Sequence, residues 1–568
     1  MVSHPLSWWQ SGVIYQIYPR SFKDSDGDGV GDLRGIINQL DYLSWLGIDA
    51  MWVSPFYPSP MADFGYDITD YCNIDPLFGD LETFNTLVEQ AHRRNLKIII
   101  DFVPNHTSDQ HPWFQQARRS RSHPQRNWYM WADPKSDGSP PNNWLCMLGG
   151  SSAHAGARWK VKDEQVPMPP LPAGSSWEWD EATQQFYLHS FLAQQPDLNW
   201  RNPAVQNAMF DVVRSWLERG VDGFRIDVAN FIMKDPQLRD NPPNPTRTLI
   251  HKARGDYDSQ LHIYDRGHSD VHKVLRILRE VLDSYSSQAP RIAIGELAVF
   301  TLQEWASYYG ANLDELHLPF NFGFLGVGWH AQAIRGIVET SESVVPPGAW
   351  PNYVLGNHDE SRVASRFGTT QARAAMMLLL TLRGTPTLYY GDELGMTNVV
   401  IPPERIQDPQ EKNVPGLGLG RDPARTPMQW NANPNAGFSP PDVDPWLPVS
   451  PDYPQVNVAV EREDPTSMLT LTRELLHLRR NKPALHGGTY RSLASDSENC
   501  FVYLRQCDDE RLVIALNFSE EPQVVRIAEP GKGHILLSTA LNRTGPTDLT
   551  ALELTGHEGC IIELLRNA

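Results

Sequence analysis

Short runs of near-continuous apolar character, rich in β-branched residues, recur through the first two thirds of the chain, and each closes on polar positions. They occupy residues 13–18, 50–54, 97–103, 223–228, 291–295, 315–322, 353–356 and 385–390. A strand buried on both faces reads this way, because neither side of it meets water. Helical patterns lie between many of them. Over 81–94, Phe84, Leu87, Val88 and Ala91 fall at three-to-four spacing, and 205–219 and 371–382 behave alike. Eight strands alternating with helices predict an α/β fold, the (β/α)8 or TIM barrel.

Two excursions break this rhythm. Residues 107–177, rich in Trp, Pro, Ser and Asn, are too long for a plain connection after the third strand. They read as an inserted subdomain over the barrel mouth. A second polar, Pro-bearing stretch runs from about 240 to 270, after the fourth strand. Beyond a helix at 468–480, alternating runs at 500–504, 512–518, 524–527, 534–537 and 560–564 predict a C-terminal antiparallel β-sandwich. The expected division is a catalytic barrel over 1–106 and 178–485, subdomain B over 107–177, and a β-sandwich domain over 486–568.

Composition narrows the function classes. The AVILMFWYC fraction is 40%, and glycine brings it into the globular range, so a large core is available. A net charge of −19 opposes binding to nucleic acid and to anionic membranes. The five cysteines are scattered, without C-x-x-C, which excludes a disulfide framework or a zinc site. The N-terminus lacks the basic and apolar regions of a signal peptide, and no apolar run is long enough to span a bilayer. A soluble, cytoplasmic protein is expected.

In a barrel of this kind the reacting groups sit just past the C-terminal ends of strands. The third strand ends D-F-V-P-N-H (Asp101 to His106), the fourth contains G-F-R-I-D-V (Gly223 to Val228), the fifth ends G-E-L (Gly295 to Leu297), and the seventh ends G-N-H-D-E (Gly356 to Glu360). Arg225 and Asp227, two apart, point the same way on a strand. An Arg beside an Asp keeps the carboxylate ionised, which suits a nucleophile and not a proton donor. Any one of these motifs can be a structural ion pair. Four polar strand ends in the right order are hard to reconcile with that.

These residues resemble the α-amylase superfamily of glycoside hydrolases, in particular its α-glucosidase and oligo-1,6-glucosidase branch. The likeness runs from W-W-Q-S-G-V-I-Y-Q-I-Y-P-R-S-F (Trp8 to Phe22) through G-V-D-G-F-R-I-D-V and G-N-H-D to R-T-P-M-Q-W (Arg425 to Trp430) and the C-terminal β-domain. The resemblance implies that Asp227 is the nucleophile, Glu296 the general acid/base, and Asp359 the third carboxylate, holding sugar hydroxyls. It implies that His106 and His358 bond the sugar in the −1 subsite and that Arg225 orients Asp227. Asp67 and Arg425 match positions gripping the non-reducing end, and Tyr66 matches the aromatic platform beneath that ring. Cleavage with retention then needs the two acids about 5–5.5 Å apart, with the pKa of Glu296 raised by Asp227 and Asp359.

Val228, following the presumed nucleophile, accompanies α-1,6 activity in related α-glucosidases, where Thr or Ala accompanies α-1,4. The segment 407–430 resembles short-oligosaccharide α-glucosidases and is expected to close the pocket for removal of one terminal glucose. The expected activity is a retaining, exo-acting α-glucosidase on short α-gluco-oligosaccharides, leaning to α-1,6 linkages. The alternative is a transglucosidase or a trehalose synthase-like isomerase on the same residues. A catalytically dead transporter heavy chain is disfavoured, since all three carboxylates are present and no membrane span is. Finally, D-S-D-G-D-G-V-G-D places oxygens of Asp24, Asp26, Asp28 and Asp32 and the Val30 carbonyl at alternate positions around a hard cation. Position twelve is Gly35, unlike an EF-hand; the loop resembles the calcium loop after the first strand in this branch. Structural Ca²⁺ is expected there.

Overall fold

A computed structural model of the chain describes residues 6–149, 158–161, 164–167, 174–246, 253–287, 289–529 and 532–565. Parts of the two expected excursions (150–157, 162–163, 168–173 and 247–252) therefore lie outside the described residues.

The eight apolar runs become eight parallel strands: β1 (Ile14–Ile17), β2 (Ala50–Val53), β3 (Lys97–Phe102), β4 (Gly223–Ile226), β5 (Ile292–Gly295), β6 (Leu318–Asn321), β7 (Asn352–Tyr353) and β8 (Thr387–Tyr389). They run in the order β7-β6-β5-β4-β3-β2-β1-β8. A parallel bridge from Val354 to Thr387 brings the two ends together. The fold is the (β/α)8 barrel.

The two-residue period of the strands sorts their side chains. Ile14, Trp52, Ile99, Ile294, Leu318 and Phe320 fill the barrel interior. Their neighbours Tyr15, Met51, Ile98, Ala293 and Leu388 pack outward into the main core. Register then places chemistry: Asp101 on β3 pairs with Arg225 on β4, and Arg225 with Ile294 on β5. The inward row is apolar at Ile14 and Ile99 and becomes polar two residues on, at Gln16 and Asp101, toward the C-terminal mouth. The expected helices form at Leu81–Arg93, Pro203–Glu218, Thr369–Thr381 and Met468–Asn481. Asp80 and Asn202 cap the first two by accepting backbone N–H groups, each such cap contributing about 1 kcal/mol.

Over the mouth, Trp131–Ala132, Gln185–Leu188 and Trp177–Asp180 form a three-stranded antiparallel sheet around Trp144, Trp177 and Phe186. This sheet crosses the expected boundary at residue 177, because the hairpin that follows pairs back onto 131–132. The excursion rejoins the barrel through the bridge between His106 and Asp197.

The C-terminal domain is antiparallel. Its larger sheet takes in Thr489–Leu493, Cys500–Cys507, Glu510–Asn517, Gly533–Ser538, Gly545–Thr547 and Gly559–Leu564; Gln523–Val525 pairs with Leu552–Leu554 in a second sheet. Val502, Leu504, Val513 and Ala515 face the second sheet, while Phe501, Tyr503, Ile514 and Leu516 join the main core. Three of these strands leave no apolar run. Residues 489–493 alternate exposed and half-buried positions at a sheet edge, and the other two are three residues long. Among the described residues, no helix is long and apolar enough to cross a membrane.

Candidate active site

The polar ends of β3, β4 and β5 converge on one guanidinium. Arg225 donates from Nη1 to Asp101 Oδ1 (2.5 Å) and Asp227 Oδ1 (2.8 Å), and from Nη2 to Glu296 Oε2 (2.5 Å). The alternation argument for Arg225 and Asp227 holds. The sequence did not suggest that the same cation would also grip Glu296. Trp52 lies 5.1 Å from the guanidinium and donates from Nε1 to Asp101 Oδ2 (2.7 Å), fixing the third corner. After Asp227 the chain turns sharply: Val228 has φ 37° and ψ 50°. For a β-branched residue this left-handed conformation costs about 1–3 kcal/mol. It aims the Val228 N–H at Glu296 Oε2, 3.2 Å away.

Three carboxyls around one permanent cation leave excess negative charge, so the cluster retains a proton. Burial pushes Asp227 well up, Glu296, Asp101 and Asp359 push the same way, and Arg225 opposes them. Burial also pushes Asp101 up to about 6 against the pull of Arg225. Protons in such a set belong to the group and not to one residue. Glu296 Oε2 accepts two N–H groups, from Arg225 Nη2 and from Val228.

That charge balance is testable. Asp101→Asn keeps an acceptor for Trp52 but removes a negative charge, leaving Arg225 less compensated. The remaining acids then lose their proton at lower pH. The alkaline limb of the kcat/KM–pH profile should move down; an upward shift or none would contradict the shared-proton account.

Above the cluster lies a cavity that opens to solvent. Its wall includes Asp227, Glu296 and Asp359, with Tyr66, His106 and Val228. Two expected contacts are displaced. Asp67 is fully buried and caps a turn, accepting from Ser59 Oγ, Ala62 N and Asp63 N, each at 2.9 Å. Asp63, four residues earlier, lines the cavity in its place, because Phe64 and Gly65 take positive φ (48° and 105°) and reverse the chain between them. Likewise Arg425 stands behind the wall, donating to Asp359 Oδ1 (2.7 Å) and the His358 carbonyl (2.7 Å). Arg421 lines the cavity instead, joining Asp63 (2.7 Å), Asp408 (2.6 Å) and Asp359 (3.3 Å).

His358 also stands one layer back. Its Nε2 lies 2.8 Å from Tyr66 OH and its Nδ1 2.7 Å from Gln16 Nε2, with its ring parallel to Tyr66. Burial pushes it down to about 3, and His106 down to about 4. His106 lines the cavity, whereas His358 lies behind it with both ring nitrogens engaged. His106 is held by Asn105 and Gln195, each at 3.1 Å.

The acidic loop after β1 brings ligand oxygens of Asp24, Asp26 and Asp28 within 4.8 Å of one another, alone of its kind among the described residues. Asp32 departs from expectation. Its carboxylate accepts from Ser25 N (2.8 Å), Ser25 Oγ (2.8 Å) and Gly35 N (2.7 Å), capping the next helix. The loop packs against the long segment after β8, since Trp446 N donates to the Gly29 carbonyl (3.0 Å) and Lys23 Nζ reaches the carbonyls of Gly437 and Phe438.

Residues 16–488 match the family described as alpha amylase, catalytic domain. The chain is similar to a probable alpha-glucosidase of Rhizobium meliloti (strain 1021), 40% identical over 550 residues and spanning 94% of both chains. It is similar to an oligo-1,6-glucosidase of Parageobacillus thermoglucosidasius, 37% identical over 568 residues, covering 94% of this chain and 93% of that one. Among solved structures it resembles an alpha-glucosyl transfer enzyme, with a TM-score of 0.89, 39% identity and coverage of 99% of this chain and 100% of the other.

Proposed function

The chain belongs to the α-amylase family of glycoside hydrolases, and from that premise we propose that it is a retaining, exo-acting α-glucosidase that removes glucose from short α-gluco-oligosaccharides, with a preference for α-1,6 linkages. One observation carries this reading: Asp227 and Glu296 share the fork of Arg225 at the floor of the cavity. Acids gripped by neighbouring nitrogens of one guanidinium fit the short spacing of retention, about 5–5.5 Å, better than the wider gap that seats an attacking water.

Glu296 gives its proton to the glycosidic oxygen while Asp227 attacks C1, forming a glucosyl ester. The carboxylates of Asp227 and Asp359 offset the positive charge that develops at C1, Arg225 holds Asp227 in place, and His106 on the cavity wall bonds sugar hydroxyls. Glu296, now a base, takes a proton from water, which attacks C1 and restores Asp227. Asp63, Tyr66 and Arg421 close the far end, favouring a single terminal glucose. The loop that supplies Arg421 and Gln410 meets the insert where Asn413 Nδ2 donates to the Gly149 carbonyl (3.2 Å). Another hydroxyl in place of water gives transglucosylation, a second reading supported by the likeness to an alpha-glucosyl transfer enzyme.

Parallel assays on isomaltose and maltose test the activity. Isomaltose should be the better substrate, proton NMR should record α-glucose as first product, and Val228→Thr should shift the preference toward maltose by about 10-fold. β-Glucose first would end the retaining mechanism, and maltose far above isomaltose would end the linkage preference alone.

Ca²⁺ belongs to the same proposal, held by Asp24, Asp26 and Asp28 with the Val30 carbonyl, while Asp32 caps the helix. Its role is to fasten the loop after β1 to the segment that carries Arg421. Saturating Ca²⁺ at 100 times Kd stabilises by about 2.7 kcal/mol, so EGTA should lower Tm by several degrees. Equal Tm with millimolar Ca²⁺ and with EGTA would remove the ion from the account. Cytoplasmic residence is proposed as well, supported by five scattered cysteines without a paired spacing.

A further inference from the structure

Two arginines line the catalytic cavity, and they are held differently. Arg421 is locked between Asp63 (2.7 Å), Asp408 (2.6 Å) and Asp359 (3.3 Å). Arg254, on the excursion after β4, is half-buried. Among the described residues its guanidinium forms no ion pair and no hydrogen bond, while its backbone N–H donates to Asp258 Oδ2 (2.5 Å). Such a group has given up part of its hydration without a carboxylate in exchange. Its mount is braced. Gly255–Ser259 form a short helical turn that starts at φ 73°, and Gly255 lies against Leu417 of the loop after β8. Tyr257 on that turn stacks on His262 with ring centroids 3.6 Å apart. His262 is fixed in turn between Asp265 Oδ2 (2.5 Å) and the Tyr257 carbonyl (2.8 Å). A cation held this way loses little freedom when it meets a ligand.

Placement assigns the cation to the aglycone. Asp63 and Arg421 come from the loops after β2 and β8 and close the end that holds the terminal glucose. Arg254 comes from the far side of the mouth, from the excursion after β4, which borders β5 and its proton donor Glu296. The group beyond the scissile bond lies on that side. The acids of the wall, Asp63, Asp227, Glu296, Asp359 and Glu360, outnumber its two arginines. Without a cation here they would repel an anionic aglycone.

We propose that Arg254 is a specificity residue that admits α-glucosides whose aglycone carries a carboxylate or a phosphate. The inference rests on the α-glucosidase reading and names a substrate class for it. The planar fork of the guanidinium donates to two oxygens of the anion in charge-assisted hydrogen bonds. Cleavage then uses the same two acids at C1. Water adds across the glycosidic bond, giving glucose and the free hydroxy acid or phosphorylated alcohol.

The test uses α-glucosides built on one scaffold: neutral 2-O-α-glucosylglycerol, and the anionic 2-O-α-glucosylglycerate and 2-O-α-glucosylglycerol 3-phosphate. For glucose release, kcat/KM should be at least about 5-fold higher for one or both anions than for the neutral glucoside. The difference should lie in KM, and the anion that gains identifies the group Arg254 reads. The preference should shrink between about 0.01 M and about 1 M NaCl, as the screening length falls from ~30 to ~3 Å. Arg254→Gln should bring the anion-to-neutral ratio to one or below, and Arg254→Lys should keep part of it. A variant that folds poorly lowers both values and leaves their ratio readable. No anionic preference in the wild type, or the same preference in Arg254→Gln, overturns the proposal. If isomaltose and maltose also release no glucose, the glucosidase reading itself has failed. Where none of the glycerol-based substrates is turned over, calorimetry decides: tighter binding of an anionic glucoside than of the neutral one, lost in Arg254→Gln, keeps the proposal, and equal binding removes it.

Discussion

Asp227→Ala is expected to lower kcat on isomaltose by on the order of 10⁴-fold or more, as removal of a nucleophile does in other enzymes, and azide is expected to restore turnover with β-glucosyl azide as product. The stereochemistry follows from the site. The leaving oxygen departs from the α face, where Glu296 protonates it. Truncating Asp227 opens space beneath C1 on the opposite face, and an azide ion there completes a single inverting displacement. Arg225, which donates to Asp227 Oδ1 at 2.8 Å, remains as the countercharge that draws an anion into the gap. Asp227→Asn, which keeps an oxygen for Arg225, serves as the control for folding and should be equally slow without gaining from azide. The measurement is the anomeric coupling constant of the product. An α-azide, or isomaltose turnover within tenfold of wild type, would place the nucleophile elsewhere.

How far such a site is legible in a sequence depends on which backbone carries each residue. Strands have a fixed period of two, so placing Arg225 and Asp227 on one face needed only the knowledge that they lie on one strand. Near-continuous apolarity marked all eight barrel strands, and Asp227, Glu296 and Asp359, which follow three of them, line the cavity. Turns have no such period. M-A-D-F-G-Y-D holds two aspartates four apart, and R-D-P-A-R two arginines four apart. In each pair the second residue carried the resemblance while the first lines the cavity. Positive φ at Phe64 and Gly65 decides the first case. A three-residue helical turn at Asp422–Ala424 separates the members of the second. Neither is fixed by residue type alone, although glycine at 65 is a hint of reversal. Arg225's reach to Glu296 was equally hidden, because it depends on the register between β4 and β5 and not on either strand alone.

The roles of the two acids separate most sharply in Glu296→Gln. Glutamine preserves an oxygen to accept from Arg225 Nη2 and the Val228 N–H, so the fork should stay in place. It removes the acidic proton. Isomaltose, whose departing alkoxide needs that proton, should lose about 10²–10⁴-fold in kcat/KM, the usual contribution of general acid catalysis. p-Nitrophenyl α-glucoside leaves without help and should lose far less from kcat/KM. Its kcat should fall because water now attacks the ester without a base, so the glucosyl–Asp227 adduct accumulates and is visible by mass spectrometry of the intact protein. Azide needs no base and should discharge that adduct from the face the aglycone vacated, giving α-glucosyl azide. Opposite anomers of one azide product, from two variants whose altered side chains share a single guanidinium, can arise only if Asp227 attacks one face of C1 and Glu296 serves the other. The same anomer from both would mean that the two acids do not divide the work across the ring.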